Sequence, residues 1–264
     1  MNLCTESGIL ARITQQKGQE VGALRLRAGE LERNANQRRD RRDFTAALAA
    51  QRPAIIAEVK RASPSKGVLQ AHFHPEAMAG AYARGGAACL SVLTDGEYFQ
   101  GSLSDLENAR SAVTLPVLRK DFTIDGLQIL EAAAHGADAI LLIAAILESS
   151  QLRDFRQLAE QFAMAALVEI HDEIDLEKAI DSGATLIGVN NRNLDTFEVT
   201  LETSLRLSER MPGGVLRVSE SGIRTRADID LLLDAGYHAF LIGESLMTAA
   251  DPTATLRDLM GAVA

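Results

Sequence analysis

Residues 135–145, HGADAILLIAA, contain the unit whose repetition decides the fold of this chain. An apolar run of strand length closely follows a glycine, and a glycine just past a helix end supplies the left-handed cap that helices often need. The same joint recurs at Gly86, Gly183 and Gly236, each time shortly before another apolar run. The repeated joint therefore predicts that helices alternate with strands along most of the chain.

Eight apolar runs follow residue 54, at the spacing of successive strand–helix units. They predict an α/β fold with a parallel sheet, and eight units indicate a single (β/α)8 TIM barrel. A doubly wound sheet is the alternative, but it rarely uses so many regular units. The runs are IIAEVK, ACLSVLT, PVLRKDF, AILLIAA, ALVEIH, LIGVNN, VLRVSES and AFLIGES.

The first 54 residues do not fit this repeat. Residues 9–34 have helical spacing, and residues 42–51 predict a second short helix that ends before Pro53. We expect residues 1–54 to form an N-terminal helical extension packed on the barrel, capping it or lying beside its mouth. Residues 55–264 would form the barrel, with one domain overall. The basic run QRRDRRD predicts a solvated stretch rather than a binding patch, because aspartates interrupt it.

Composition excludes several classes of function. The 264 residues are 47% hydrophobic and carry a formal net charge of −9, which argues against a nucleic-acid partner. No apolar run reaches the roughly 18 residues of a membrane span, and the N-terminus lacks the pattern of a secretory signal. Cys4 and Cys89 have no metal-type spacing, so reduced thiols are expected. We therefore expect a cytoplasmic protein with no membrane partner.

Charged residues interrupt the first apolar run, IIAEVKRASPSKG at residues 55–67. Side chains alternate across a strand, so Glu58 and Lys60 share a face with Ile56. Removing such ions from water costs several kcal/mol each unless they are paired or solvated. This face of the strand must therefore meet either water or a site.

Other runs carry polar residues at the same end. Alternation directs Lys120 inward on the third strand, and later runs end in Glu169, Asn190 and Glu220, with Arg192 two residues past Asn190. The active sites of barrels lie at this end of the strands. For any single residue, a structural ion pair or a solvated strand end is an equal alternative. Together they predict a polar pocket whose lysines donate protons or anchor a carboxylate, and whose shielded glutamate acts as a base.

A phosphate site is predicted after the last two strands, in SESGI and LIGES. Barrels often hold a phosphate there through backbone N–H groups, and glycine lets the backbone approach the anion. Either motif alone is weak, because glycine also ends strands in ordinary turns. The residues concerned are Ser221, Gly222, Gly243 and Glu244, with Ser63 as a further donor in the loop after the first strand.

Apolar residues near the same strand ends could hold an aromatic ring. The candidates are Phe99, Phe122, Pro64 and Leu141, although core packing explains Leu141 equally well. The five histidines show no metal-ligand spacing, so we expect them on the surface or in loops and expect no metal site.

Seven stretches, taken in order, resemble the indole-3-glycerol phosphate synthase family of tryptophan biosynthesis. The resemblance extends from about residue 43 to the end and, less sharply, over the N-terminal helices. The first and third stretches are its most specific part. The last two are shared with other phosphate-binding barrels. The stretches are IIAEVKRASPSKG, LSVLTDGEYFQGSLSDL, PVLRKDF, LVEIHDEIDL, IGVNNRNL, SESGI and LIGESLM.

The resemblance implies an activity. The family has a (β/α)8 barrel with an N-terminal extension and uses no metal or organic cofactor. It closes and decarboxylates 1-(2-carboxyphenylamino)-1-deoxyribulose 5-phosphate, giving indole-3-glycerol phosphate, carbon dioxide and water. This small-molecule substrate carries a carboxylate, an aromatic ring and a phosphate. The sequence leaves a monomer and a weak homodimer both open.

The resemblance also implies residue roles. Lys120 matches the general acid that protonates the ketone oxygen during ring closure. Lys60 matches the lysine that holds the carboxylate and can exchange acid roles with Lys120 in the dehydration, and Glu169 matches the base. Residues that position the lysines and the sugar hydroxyls are Glu58, Asn190 and Glu220. The substrate-binding residues implied are Ser63, Pro64, Phe99, Phe122, Leu141, Arg192, Leu194, Ser221, Gly222, Gly243 and Glu244.

Two other functions are weighed against the synthase. One is an isomerase or aldolase barrel in which Lys120 forms a Schiff base with a different sugar phosphate, which borohydride would trap. The other is a catalytically silent barrel that binds phosphate ligands or serves as a subunit. The paired lysines on the first and third strands disfavour the isomerase or aldolase, and the presence of both Lys120 and Glu169 disfavours the silent barrel.

Overall fold

The computed structural model of the chain describes residues 8–64, 66–70, 72–194 and 196–261. All eight apolar runs form parallel strands of one closed barrel, in which the first strand pairs with the last. The predicted α/β TIM barrel is therefore confirmed. The strands are β1 (Ala54–Val59), β2 (Cys89–Leu93), β3 (Val117–Lys120), β4 (Ala139–Ile143), β5 (Ala165–Ile170), β6 (Leu186–Asn190), β7 (Leu216–Glu220) and β8 (Ala239–Ile242).

Three helices precede the barrel: α1 (Ile9–Leu24), α2 (Ala28–Gln37) and α3 (Phe44–Ala49). A single 3-10 turn, Arg25–Arg27, separates α1 from α2. The carboxylate of Asp43 accepts a hydrogen bond from the backbone of Ala46 and caps α3. The helical spacing of the first segment therefore predicted its structure correctly.

The remaining helices lie outside the barrel, and a short antiparallel pair, Ala62–Ser63 with Gly67–Val68, follows β1. Gly86, Gly136, Gly183 and Gly236 have φ values between 77° and 95°, so the predicted left-handed caps are confirmed. The helices are α4 (Pro75–Gly85), α5 (Leu103–Ala112), α6 (Gly126–Ala134), α7 (Ser149–Gln161), α8 (Glu173–Asp181), α9 (Glu202–Ser208), α10 (Arg226–Asp234), α11 (Glu244–Met247) and α12 (Pro252–Met260).

Alternation along the strands separates two apolar layers. Ile55 packs in the outer layer between sheet and helices, whereas Ile56 packs inside the barrel. Phe44 and Leu48 of α3 belong to the inner layer, and α3 contacts β1 and β2. Helix α3 therefore closes the N-terminal end of the barrel. Cys89 is buried in the same layer, whereas Cys4 lies outside the described residues.

The expectation that the run QRRDRRD is solvated is wrong for two of its arginines. The guanidinium of Arg38 pairs with Asp138, and the side chain is only 6% exposed. Arg42 donates to the carbonyl of Leu115 at 2.7 Å, and its backbone N–H donates to Asp138 at 3.1 Å. The reason is that the buried Asp138 carboxylate and free carbonyls beneath the barrel need donors. Charge composition alone does not reveal this need.

A buried cation holds helix α1 at the C-terminal end of the barrel, opposite α3. Lys17 is 1% exposed, and its ammonium lies 2.9 Å from Asp95 and 2.8 Å from Asp121. These aspartates follow β2 and β3. Burial alone would lower the pKa of Lys17, but the carboxylates outweigh it and raise that pKa. A charged lysine therefore ties the extension to two loops at the mouth of the barrel.

Candidate active site

The C-terminal mouth of the barrel contains the charged side chains that alternation directed inward. Glu58, Glu169 and Glu220 are at most 5% exposed, and the side chains of Lys60 and Lys120 are each 16% exposed. The structure thus gathers two ammonium groups and three carboxylates from four strands or strand ends into one site. Such a cluster is costly unless its members neutralise each other.

Lys120 is the centre of this cluster. Its Nζ lies 3.0 Å from Oε2 of Glu169 and 3.8 Å from Oε2 of Glu220. Burial alone would lower the pKa of Lys120, but these carboxylates outweigh it and raise that pKa. Lys120 therefore remains an ammonium at neutral pH, so it is suited to donate a proton rather than to act as a free-amine nucleophile.

Glu169 and Glu220 have opposite electrostatic environments. Burial opposes ionisation of Glu169, but Lys120 and His171 outweigh it and lower its pKa. Asn190 also donates to Oε1 of Glu169 at 3.2 Å. For Glu220, burial and the negative charge of Glu169 raise the pKa to about 8. At neutral pH, Glu169 is therefore an ionised proton acceptor, whereas Glu220 is largely protonated.

Two glycines make room for these carboxyl groups. A Cβ atom on Gly188 of β6 would collide with the carboxyl group of Glu220 on β7. A Cβ atom on Gly243, just after β8, would collide with the carboxylate of Glu58 on β1. Glu58 also forms an ion pair with Lys60. The positions of the carboxyl groups therefore depend on glycine, which has no side chain, at these two positions next to them.

We expect Gly188→Ala to destabilise the protein by about 1–3 kcal/mol, the usual cost of overpacking, and to lower turnover by displacing Glu220. Chemical denaturation and steady-state kinetics measure the two effects. Gly18→Ala in α1 is the matched control, because a Cβ atom there meets nothing within 4 Å. Equal stability and turnover of Gly188→Ala and the parent would contradict the steric argument.

An apolar wall lies beside the charged cluster. The rings of Phe99 and Phe122 have centroids 6.1 Å apart and are tilted by 37°. Asp95 accepts the backbone N–H of Phe99 at 3.2 Å, so the Lys17 ion pairs also help to hold this wall. Leu141 belongs to the inner core layer and also lines the cavity.

The loops after β7 and β8 form the remaining side of the cavity. Ser221 and Gly222 have φ values of 65° and 81°, so the backbone turns sharply there. The carboxylate of Glu244, at the start of α11, pairs with Lys66 and lies 3.6 Å from a guanidinium nitrogen of Arg192. The hydrogen bond from Lys66 lowers the pKa of Glu244. These cations offset the negative charge that Glu244 brings to the expected phosphate site.

One cavity is lined by every residue that the sequence singled out for the site. Sequence reasoning missed Ile9, Leu10 and Ile13 of α1, which line it as well; their helical spacing predicted an apolar face but not what it faces. The residues singled out are Glu58, Lys60, Ser63, Pro64, Phe99, Lys120, Phe122, Leu141, Glu169, Asn190, Arg192, Leu194, Glu220, Ser221, Gly222, Gly243 and Glu244.

His171 lies in a loop, as expected, but its ring is not at the surface. Its side chain is only 14% exposed and lies between the carboxylates of Glu169 and Asp175. The physical reason is local, since β5 ends at Ile170 and α8 begins at Glu173, so the short turn holds the ring against both elements. The spacing of histidines along the chain gives no sign of this contact.

Comparisons with known proteins show the family of this chain. The sequence model of the family "Indole-3-glycerol phosphate synthase" matches residues 10–259. A protein of that name from Burkholderia vietnamiensis (strain G4 / LMG 22486) is 52% identical over 258 residues, covering 95% of this chain and 98% of that protein. The chain belongs to the indole-3-glycerol phosphate synthase family. It is therefore an enzyme, a carboxy-lyase of tryptophan biosynthesis.

A second relative supports the same family across nearly the whole chain. The indole-3-glycerol phosphate synthase of Polaromonas naphthalenivorans (strain CJ2) is 49% identical over 261 residues, covering 97% of this chain and 99% of that protein. The match includes the N-terminal extension as well as the barrel. Helices α1 to α3 therefore lie within the length that the family shares.

Solved structures share the fold at low sequence identity. A 3-hexulose-6-phosphate synthase superposes with a TM-score of 0.63 at 17% identity, covering 80% of this chain and 100% of that chain. A thiamine phosphate pyrophosphorylase from Pyrococcus furiosus gives a TM-score of 0.60 at 14% identity, covering 79% and 94%. These similarities show that other enzymes share the barrel fold of this chain. They do not indicate its substrate.

Two structural absences concern only the described part of the chain. Within residues 8–64, 66–70, 72–194 and 196–261, no three or more His, Cys, Asp or Glu side chains form a group that could hold a metal ion. None of the helices formed by these residues is both long and apolar enough to cross a bilayer.

Proposed function

We propose that this enzyme converts 1-(2-carboxyphenylamino)-1-deoxyribulose 5-phosphate into indole-3-glycerol phosphate, carbon dioxide and water by lysine and glutamate acid–base catalysis. The observation that carries the proposal is the charged Lys120 held between Glu169 and Glu220 inside the cavity at the barrel mouth. Family membership supports the substrate. We further propose, as expected from the sequence, that the enzyme is cytoplasmic. Its partner is then the small-molecule substrate, with neither nucleic acid nor membrane.

Substrate orientation follows from the three sides of the cavity. The phosphate would lie against the loops after β7 and β8, near Gly222 and Gly243. The aromatic ring would lie against Phe99 and Phe122, and the ammonium of Lys60 would take the ring carboxylate. The reacting ketone is then directed towards Lys120, between these anchors.

Ring closure is the first step. The ring carbon that carries the carboxylate attacks the ketone carbon, and the carbonyl electron pair moves to the ketone oxygen. Lys120 donates a proton to that oxygen and becomes a neutral amine. A fixed ammonium stabilises the developing charge only if it is already oriented, and the carboxylate of Glu169 provides that orientation at 3.0 Å.

Decarboxylation is the second step. The bond between the ring and the carboxylate breaks, its electron pair restores ring aromaticity, and carbon dioxide leaves. No proton moves in this step. Lys60 need only hold the carboxylate in place until the bond breaks, and its ion pair with Glu58 keeps its ammonium at the mouth of the barrel.

Dehydration is the third step. The hydroxyl group leaves as water with a proton from Lys60, and Glu169 removes a proton from the carbon next to the nitrogen as the new ring becomes aromatic. Glu169 then returns this proton to Lys120 across their 3.0 Å contact. The two lysines donate two protons and Glu169 recovers one, so each turnover takes one proton from solvent.

The protonation state of Lys120 also separates this function from a Schiff-base isomerase or aldolase. A Schiff base needs a neutral amine, and such lysines have lowered pKa values. The carboxylates around Lys120 have the opposite effect and raise its pKa. Borohydride treatment is therefore expected to leave the enzyme active in the presence of substrate.

A fluorescence assay tests the proposal directly. The chain contains no tryptophan, so the indole product would appear against a nearly dark protein background. We expect purified enzyme and substrate to give a fluorescence rise that survives EDTA and is lost in Glu169→Gln. Binding of the substrate in calorimetry without any fluorescence rise would contradict the proposed reaction.

A further inference from the structure

The structure contains a buried imidazole that the reaction scheme does not use. Nε2 of His171 lies 3.4 Å from Oε1 of Glu169, and Nδ1 lies 3.4 Å from Oδ2 of Asp175. Among the described residues, neither ring nitrogen has a partner in ordinary hydrogen-bond geometry. Hydrogen bonds around catalytic groups are often long in the free enzyme and tighten when substrate binds.

Asp175 is a fixed support for this ring. It is 5% exposed, and its Oδ2 accepts the backbone N–H of His171 at 3.1 Å. Its own N–H donates to the capping carboxylate of Asp172 at 2.9 Å, at the start of α8. The hydrogen bond from the backbone of His171 keeps this carboxylate beside the ring, where it favours a proton on the facing Nδ1.

A second proton is then needed between His171 and Glu169. With Nδ1 protonated, a neutral ring would direct the lone pair of Nε2 at the carboxylate oxygen of Glu169, which is repulsive. The charged groups that face the ring are Glu169 on β5, Asp175 on α8 and Lys120 on β3. Burial and the positive charge of Lys120 would each lower the pKa of His171. The two carboxylates outweigh both effects and raise that pKa.

We propose that His171 is a positioning residue, an imidazolium held by Asp175 that donates from Nε2 to Oε1 of Glu169. This contact fixes the rotation of the carboxylate, so that Oε2 faces Lys120 at 3.0 Å. It also keeps Glu169 ionised and ready to accept a proton. The inference rests on the proposed function, because His171 affects catalysis only by orienting Glu169, the base of that reaction.

Kinetics of His171→Gln test this role. We expect kcat to fall by about tenfold, within the range typical of residues that orient a reacting group, and KM to change less than twofold. Losing a positive neighbour raises the pKa of Glu169, which must be ionised to act, so the acidic limb of the kcat profile moves to higher pH. An acidic limb that stays in place would overturn the proposal.

A matched control separates this role from general damage. His238 immediately precedes β8, at the end of the barrel opposite the site. Its Nδ1 is also buried without a hydrogen-bond partner among the described residues. We expect His238→Gln to keep the parental pH profile, whatever its effect on thermal unfolding. The same shift in both variants would overturn the specific role of His171.

Nitrogen-15 spectra of the imidazole rings give a readout that does not need activity. We expect both nitrogens of His171 to be protonated at pH 7, with the signal assigned by its loss in His171→Gln. In Glu169→Gln the titration midpoint of His171 falls, because a negative neighbour is lost. A neutral ring at pH 7 whose midpoint does not respond to Glu169→Gln would overturn the proposal.

The outcomes also separate this inference from the function on which it rests. A fully active Glu169→Gln variant would overturn both the proposed reaction and the positioning role. An inactive Glu169→Gln variant beside a His171→Gln variant with parental kinetics would overturn the positioning role alone.

Discussion

Replacing Lys120 by methionine is expected to lower kcat by about 10²–10⁴-fold, the range that a positioned general acid contributes, while substrate affinity stays close to the parental value. Methionine keeps the unbranched shape of the side chain but has no proton to give to the ketone oxygen. The carboxylate, ring and phosphate anchors lie elsewhere in the cavity and remain. Steady-state kinetics and calorimetry with the substrate measure the two quantities separately.

Stability has to be followed in the same variant. Lys120 lies between Glu169 and Glu220, so its loss raises the pKa of both buried carboxyl groups. A carboxyl group whose folded pKa is raised stabilises the fold at low pH and loses that contribution as pH rises through the folded value. We therefore expect the penalty in unfolding free energy to grow from acidic to alkaline pH, and chemical denaturation at several pH values measures it.

Lys120→Arg is the control for charge. The guanidinium remains positive beside the two carboxylates, so the stability penalty should be smaller than in Lys120→Met. Its proton is held too tightly for acid catalysis, so turnover should still be low. Parental turnover in Lys120→Met would contradict the assignment of Lys120 as the acid.

Replacing Glu169 by glutamine is expected to stop the reaction after decarboxylation, with fluorescence turnover reduced by about 10²–10⁴-fold. Glutamine is isosteric but cannot accept a proton from carbon. Ring closure and decarboxylation need oriented ammonium groups, and the carbonyl oxygen of a glutamine can still accept the hydrogen bond that orients Lys120. We therefore expect carbon dioxide release from a labelled substrate without a matching rise in indole fluorescence.

The fold should tolerate this change. The charge of Glu169 is one reason why the pKa of Glu220 is raised to about 8, so a neutral residue at position 169 lowers it. Glu220 then ionises and remains within 3.8 Å of Lys120 as its counter-ion. Glu160→Gln, on the exposed surface of α7, is the control for loss of one carboxylate. Equal loss of carbon dioxide release and fluorescence would contradict the assignment of Glu169 to dehydration.

The sequence predicted the barrel because its signals are local. A glycine at a helix end and an apolar run after it are contained within a few residues, so Gly136 and the strand after it can be recognised without a partner. Alternation along a strand is also local, which is why the sequence alone places Glu58, Lys60 and Lys120 on the inner face.

The features that the sequence did not reveal depend on distant pairs. Lys17 lies far along the chain from Asp95 and Asp121, and only the fold brings the three side chains together. Gly188 is needed because the carboxyl group of Glu220, on the neighbouring strand β7, occupies the space of a side chain at position 188. Strand register sets this neighbour. Arg38 is buried because it pairs with Asp138 beneath the barrel. In each case the residue type is compatible with an ordinary surface or turn position.

The layer of side chains around Phe44 bears on how the chain folds as it is synthesised. Helix α3 leaves the ribosome ahead of every strand of the barrel, yet Phe44 shares its buried layer with Val218 of β7 and Leu241 of β8, the two strands made last. Helix α3 is thus translated before the barrel, but its apolar face is fully covered only when β8 joins β1. This face needs protection until β8 has been translated, so chaperone binding to a nascent chain should concentrate there.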